Sequence, residues 1–144
     1  MTTVDMNTKP APAWLKVIAA LGVVWYAFGL LQMWLGVTLD TGVAVAAGQM
    51  TAGHAAAHAG VPGFVWASFA VASGAGLVGA ALLFMGRGAA FAAFAISLIS
   101  AAVYYGYIYV ISGTASARPT EEAIIAVVVV SVTIGFTLLS RRFR

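Results

Sequence analysis

The pair His54 and His58 is the one pattern in this chain with the spacing of metal ligands. Residues four apart share one face of a helix, so both imidazoles could hold the same ion. A stable site needs a third ligand, and Asp40 or Met50 could supply it only if the chain folds back. We therefore predict no metal site and interpret both histidines as solvent-facing or interfacial residues near Thr51. A pH-sensitive contact is the alternative.

Aromatic residues provide a second kind of candidate site. Four tyrosines, Tyr104, Tyr105, Tyr107 and Tyr109, cluster at the end of one apolar run, and Trp25 lies in the middle of another. Such rings can stack on a quinone or a pigment, but they also anchor helix ends at a membrane interface. We expect the interface role, with bound lipid and no cofactor. Trp25, Tyr104 and Tyr105 are the candidates for a quinone or pigment surface.

Residue types that most enzymes use are scarce in this chain. It has no cysteine, which excludes disulfides, thiolate metal sites and thiol chemistry. No charged residue or histidine falls in the centre of a long apolar run, where such residues would mark proton relays and ion paths; Gln32 is the only strongly polar residue of the first run. The basic residues form no patch with interleaved aromatics, so nucleic acid is not an expected partner. We predict that the protein is not an enzyme.

Composition indicates the elements that must position these residues. Of 144 residues, 62% are hydrophobic and 8% are charged, whereas a soluble domain carries about 25% charge. Four stretches contain no charged residue at all: 17–39, 41–86, 88–117 and 123–140. Each is long enough for a helix of roughly 20 residues that crosses a bilayer. The sequence predicts an all-α integral membrane bundle of four antiparallel transmembrane helices, spanning about 14–36, 62–85, 89–111 and 120–140.

Three further segments complete the predicted organisation. Residues 1–13 are polar and contain proline, which is typical of a flexible tail, and residues 14–144 form a single transmembrane domain. The Ala-rich connection 37–61 is too polar to span and is predicted to be a partly helical outer loop. Thr120 is the expected N-cap of the last helix, followed by acidic residues that favour a helix N-terminus.

The positive charges predict the orientation of the bundle. With the N-terminus in the cytoplasm, six of the seven basic residues lie inside: Lys9, Lys16, Arg87, Arg141, Arg142 and Arg144. Only Arg118 lies outside. Because cytoplasmic loops carry the excess of Lys and Arg, we predict that both termini are cytoplasmic.

Two rows of small residues predict how the second and third helices meet. In lipid, close backbone approach drives helix packing. The rows repeat every four residues: Ser68, Ala72, Gly76 and Ala80 in one helix, and Ala89, Ala93, Ser97 and Ala101 in the next. We expect these rows to face each other across the hairpin at 86–88, with Gly76 near Ala93 or Ser97. The adjacent row would then be free for the first helix or a partner protein: Ala67, Val71, Ala75 and Gly79.

Several features together resemble a known group of proteins. They are the start Trp14-Leu15-Lys16, Gln32 near the end of the first span, the Ala-rich stretch from Pro62 to Ala72, and Arg87 in the hairpin. Over most of residues 14–140 the chain resembles the uncharacterised small four-helix inner-membrane proteins of bacteria. The resemblance implies a four-helix fold and the bacterial inner membrane, and it implies no activity.

Three functions fit these observations. The first is a non-catalytic accessory or structural subunit that binds other transmembrane helices, lipids or a second copy of itself, for example within a larger energy-transducing membrane complex. The alternative is a small transporter or channel for a neutral or lipophilic solute, with hydroxyl side chains along a polar path: Ser68, Ser73, Ser97, Ser100, Ser131 and Thr133. The second alternative is a subunit that binds a pigment or a quinone.

Overall fold

The uncharged stretches of the chain fold into four long helices. The computed structural model describes residues 10–144, and no strand occurs within that part of the chain. The helices are α1 (Ala13–Val37), α2 (Thr41–Ala46), α3 (Ala52–Ala59), α4 (Gly63–Phe84), α5 (Ala90–Gly106) and α6 (Thr120–Arg141). A π-helical segment, Tyr107–Ile111, extends α5. With that extension, α1, α4, α5 and α6 are long and apolar enough to cross a membrane, which confirms the all-helical prediction with four candidate spans.

Prolines mark the beginnings of three of these helices. Pro12, Pro62 and Pro119 are the N-cap residues of α1, α4 and α6, each with an extended backbone. Proline has no N–H to leave unpaired, and its fixed φ suits a helix start. The prediction of Thr120 as an N-cap is therefore wrong: Pro119 occupies that position, and Thr120 is the first helical residue.

The predicted tail and the connection between α1 and α4 can be compared with the structure in part. Residues 1–9 of the tail lie outside the described residues. The connection contains α2 and α3, as expected of a partly helical loop. Asp40 begins α2 by accepting a hydrogen bond from Val43 N at 3.0 Å, and Thr51 begins α3 by accepting one from His54 N at 3.1 Å.

Contacts between helix ends define two ends of the bundle. At one end, which we call the terminal end, Trp14 lies 6.0 Å from Phe143 between ring centroids, and Gly88 lies close to the backbone of Arg144. At the other end, the ring of Trp66 lies against Gly36. The short helices α2 and α3 connect α1 to α4 at this end of the bundle, which we call the capped end.

The core is centred on three aromatic rings from three different helices. Phe94 of α5 is fully buried and stacks on Phe136 of α6, with centroids 5.1 Å apart. Tyr26 of α1 lies 6.0 Å from each of these rings. Burial of such large rings supplies much of the dispersion energy available to a helix bundle.

The small-residue rows have other partners than those expected. Ser97 does meet the second helix, because its Oγ donates a 2.6 Å hydrogen bond to the carbonyl of Ala72. Gly76, however, faces α1: a Cβ added there would fall onto the ring of Tyr26. Gly79, from the row expected to receive α1, lies instead under the ring of Phe94 of α5. The prediction that Gly76 faces α5 is therefore wrong. Each glycine faces the large ring nearest to it, which is Tyr26 of α1 for Gly76 and Phe94 of α5 for Gly79.

Gly76 and Gly74 form a matched pair that tests this contact. Gly76→Ala places a methyl group where the Tyr26 ring lies, and we expect it to lower the free energy of unfolding by about 1–3 kcal/mol through overpacking. Gly74→Ala, on the same helix, meets nothing among the described residues within 4 Å and has the same gain in helix propensity without the clash, so it should raise stability by up to about 1 kcal/mol. Unfolding of the two variants in mixed micelles measures the difference, and equal stability would contradict the packing of Tyr26 on Gly76.

Candidate functional site: an aromatic cavity with a polar cap

An apolar cavity of about 350 Å³ lies among the four long helices. The three residues proposed from sequence as a cofactor surface, Trp25, Tyr104 and Tyr105, all line it. Side chains of α1, α4, α5 and α6 complete the wall: Tyr26, Phe28, Gly29, Gln32, Phe69, Ala72, Ser73, Ser97, Ala101, Ile125, Val129 and Thr133. No Asp, Glu, Lys, Arg or His is among these lining residues. A lining of this kind is suited to an apolar body.

On the side of the terminal end, side chains of α1 and α6 contact each other, and we call this contact the floor of the cavity. The Tyr26 hydroxyl donates a 3.1 Å hydrogen bond to Thr133 Oγ1. Further toward the terminal end, Gly22 of α1 has no side chain to obstruct Phe136, whose Cζ would lie 2.7 Å from an added Cβ. Toward the capped end, residues of both helices line the cavity, among them Phe28 of α1 and Val129 of α6.

Three of the hydroxyls considered for a polar path are engaged with backbone carbonyls. Ser68 Oγ donates to Phe64 O at 2.9 Å, Ser97 Oγ to Ala72 O at 2.6 Å, and Thr133 Oγ1 to Val129 O at 2.9 Å. Hydroxyls that bond to helix backbone in this way offer little to a passing solute. The lining is accordingly less polar than the residue types alone indicate.

An aromatic wall runs from the cavity to the capped end. Tyr104 lies 4.7 Å from Phe69 and 4.9 Å from Tyr105 between centroids, and Trp66 lies 6.1 Å from Tyr104. Just beyond these rings the α-helix widens into the π-helical segment, where Ser112 N donates to Tyr107 O at 2.8 Å. A widened turn of this kind often occurs beside a functional site.

A second cavity, of about 220 Å³, continues the first toward the capped end. Five residues line both: Gln32, Phe69, Tyr104, Tyr105 and Ile125. The second cavity adds polar side chains, including His58, Arg118 and Glu122. The two adjoining spaces differ in character: the first is apolar, and the second, nearer the capped end, has polar side chains.

A buried ionic cluster forms the polar cap. The Arg118 side chain is only 5% exposed; its Nη1 lies 3.5 Å from Glu122 Oε2, and its Nη2 donates to Ala57 O at 3.3 Å. Glu122 Oε1 lies 2.9 Å from His54 Nε2, although the two atoms are not aligned as a hydrogen bond. Among residues 10–144, Arg118 Nε has no hydrogen-bond partner. These contacts tie α3 to the beginning of α6.

The two histidines have different partners. His54 is 8% exposed and faces Glu122 at the start of α6, so it is not the solvent-facing residue of the first interpretation; an interfacial position stays a prediction. His58 Nε2 lies 2.8 Å from the Gly36 carbonyl, and its ring packs edge-on against Trp66 at 5.3 Å. Within the part of the chain that the structure describes, no three His, Asp or Glu side chains come together as metal ligands.

Sequence reasoning named Trp25, Tyr104 and Tyr105, which line the first cavity, and did not name Arg118 and Glu122 as site residues. One signal was available. The two residues are four apart, a spacing at which opposite charges on a helix attract each other, and Arg118 is the only basic residue in its half of the predicted topology. Their closeness to α3 depends on the path of the loop, which no periodicity encodes.

Comparisons of this chain with protein-family models, with curated proteins and with solved structures find no match. Four long apolar helices are compatible with a multi-pass membrane protein. A more specific function has to be inferred from the cavity and its polar cap.

Neighbouring acidic residues test the ionic cluster. Glu121 and Glu122 both lie in the first turn of α6, so neutralising either removes a similar interaction with the helix dipole. Glu122→Gln also leaves the buried Arg118 without its counter-charge, and we expect it to lower the free energy of unfolding by about 1–3 kcal/mol more than Glu121→Gln. Chemical unfolding in micelles measures both. Identical losses would mean that the cluster does not hold α3 to α6.

Proposed function

We propose that this chain is a non-catalytic, multi-pass protein of the bacterial inner membrane that binds a lipophilic molecule in the aromatic cavity. One observation carries the proposal: Trp25, Tyr104 and Tyr105, from two helices, line a single apolar space of about 350 Å³. Ligand sites are of this size and character, with a few polar groups at defined positions.

The ionisable groups of the adjoining second cavity have protein partners: Arg118 lies against Glu122 and the Ala57 carbonyl, and His58 lies against the Gly36 carbonyl. These pairings favour binding over acid–base chemistry, which needs a group free to reach the reacting atom.

A role as an accessory or structural subunit has separate support. One face of α1 exposes large apolar side chains at helical spacing, each at least half exposed: Leu21, Val24, Phe28, Leu31 and Leu35. A stripe of this kind contacts lipid or the helices of another membrane protein. Ligand binding and docking to a larger energy-transducing complex are compatible, because the stripe and the cavity are largely different surfaces.

Transport of a neutral or lipophilic solute is the alternative, and the cavity supports it less well. A lipophilic solute could enter the apolar space, but the hydroxyls of Ser68, Ser97 and Thr133 are bonded to backbone carbonyls. Toward the terminal end, the Tyr26 hydroxyl is bonded to Thr133, and Phe136 packs against Gly22 beyond it. A binding protein needs no path through these contacts.

The proposed topology is an antiparallel bundle with both termini in the cytoplasm. Contacts of Trp14 with Phe143, and of Gly36 with Trp66, support alternating helix directions. The basic residues at the terminal end support its placement inside: Lys16, Arg87, Arg141, Arg142 and Arg144. Arg118 and three acidic residues belong to the capped end, which we assign to the outside.

Two neighbouring valines of α6 test the binding function. Val129 lines the cavity, whereas Val128 does not and is 44% exposed. Val129→Phe fills the space that a ligand would occupy, and Val128→Phe makes the same chemical change outside it. In native mass spectrometry after mild-detergent extraction, we expect a bound lipophilic molecule on the wild type and on Val128→Phe, and its loss from Val129→Phe. Equal retention by all three proteins would contradict binding in this cavity.

Single cysteines test the topology, because the natural chain has none. Ser116 and Arg87 are both exposed, at opposite ends of the bundle. In intact cells we expect a membrane-impermeant maleimide to label Ser116→Cys and to spare Arg87→Cys until the membrane is permeabilised. The reverse pattern would overturn the assignment of the terminal end to the cytoplasm.

A further inference from the structure

We propose that the ligand is an uncharged amphiphile with a carbonyl-bearing ring, that is, a lipid-soluble quinone, and that its carbonyl accepts a hydrogen bond from Arg118. This inference rests on the proposed binding function and adds the chemical class and orientation of the ligand. The ring would occupy the second cavity at the capped end, and the hydrocarbon chain would occupy the first.

The joined cavities set the shape of the molecule. The larger space is lined by apolar and aromatic groups, and the smaller one brings His58, Arg118 and Glu122 to its far end. Because Gln32 and Tyr104 line both, the two spaces adjoin, and the proposed ligand extends from one into the other. A site with this polarity gradient fits a ligand with one polar end and a long apolar body.

Arg118 supplies donors that the protein itself does not use. A guanidinium has five N–H donors, and this one has two protein acceptors, Glu122 Oε2 at 3.5 Å and Ala57 O at 3.3 Å. These two bonds leave other N–H groups of the guanidinium without an acceptor among residues 10–144, and Arg118 lines the second cavity. Buried donors are almost always satisfied, and leaving one unpaired destabilises the protein. The group that completes this site is therefore a hydrogen-bond acceptor.

Glu122 decides the charge of that acceptor. Its carboxylate lies beside Arg118 and balances the guanidinium, so the pair is neutral as a whole. An anionic head group bound to Arg118 would also meet the negative charge of Glu122 at close range. A carbonyl oxygen accepts from Arg118 without bringing a second negative charge.

Flat aromatic surfaces favour a ring next to the carbonyl. Trp66, Phe69 and Tyr104 line the second cavity, with Trp66 stacked on Phe69 at 6.4 Å. Planar ligands gain offset-stacked and edge-to-face contacts on such walls, which a branched head group does not. The carbonyl acceptor and the planar ring together define the quinone class.

Three probes with similar chains separate the parts of this proposal. Decylubiquinone carries the ring and its carbonyls, decylbenzene has the same chain without a carbonyl, and dodecanoate carries a carboxylate. Titrations of the full-length protein in micelles, followed by native mass spectrometry, give the dissociation constant of each. We expect the wild type to bind the quinone about tenfold or more tightly than decylbenzene, the gain typical of a hydrogen bond to a charged group.

Arg118→Gln should remove that advantage and leave the affinity for decylbenzene unchanged, which also shows that the variant cavity is folded. Arg87→Gln, with the same loss of charge at the terminal end, should bind like the wild type. Equal wild-type affinity for the quinone and decylbenzene, or tighter binding of dodecanoate, overturns the proposed ligand class while the binding function stands. If the wild type binds none of the three probes, both the ligand class and the proposed function are wrong.

Discussion

The packing of Tyr26 determines how closely α1 approaches α4, α5 and α6. Its ring lies on the bare backbone of Gly76, its edges meet Phe94 and Phe136, and its hydroxyl bonds to Thr133. A bilayer provides no hydrophobic force to join helices, so close contacts of this kind are what hold a bundle together. Because α1 and α6 are joined at this level, the aromatic cavity begins directly above it.

The polar cap holds helices together at the other end of the bundle. At the capped end the cavity lies between the long helices, and a second set of contacts joins them. The short helix α3 provides these contacts through His54 with Glu122 and through Arg118 with the Ala57 carbonyl. Charged groups are tolerated near the end of a bundle, close to the head groups, far better than at its centre. The arrangement leaves a largely apolar space below the cap and brings hydrogen-bond donors of Arg118 to its edge.

The four long helices could be predicted from sequence because the bilayer enforces a simple rule: long uncharged runs become spanning helices. Helix partners could not be predicted, because rows of Ala and Gly occur on more than one face of α4. A small residue indicates that another group packs closely against the helix, but it does not indicate which group. Gly76 and Gly79 differ only in which ring, Tyr26 or Phe94, comes to lie over them. The aromatic residues of the cavity were found by type, but their convergence is a long-range property of the packed bundle.

The contact between Tyr26 and Thr133 is the most direct test of this account. A double-mutant cycle with Tyr26→Phe and Thr133→Val, read as free energies of unfolding in mixed micelles, isolates the interaction between the two hydroxyls. If this hydrogen bond joins α1 to α6, the coupling energy should be about 0.5–1.7 kcal/mol, the range found for such bonds between membrane helices. Additive effects, equal within about 0.3 kcal/mol, would mean that the two helices are not joined at this level.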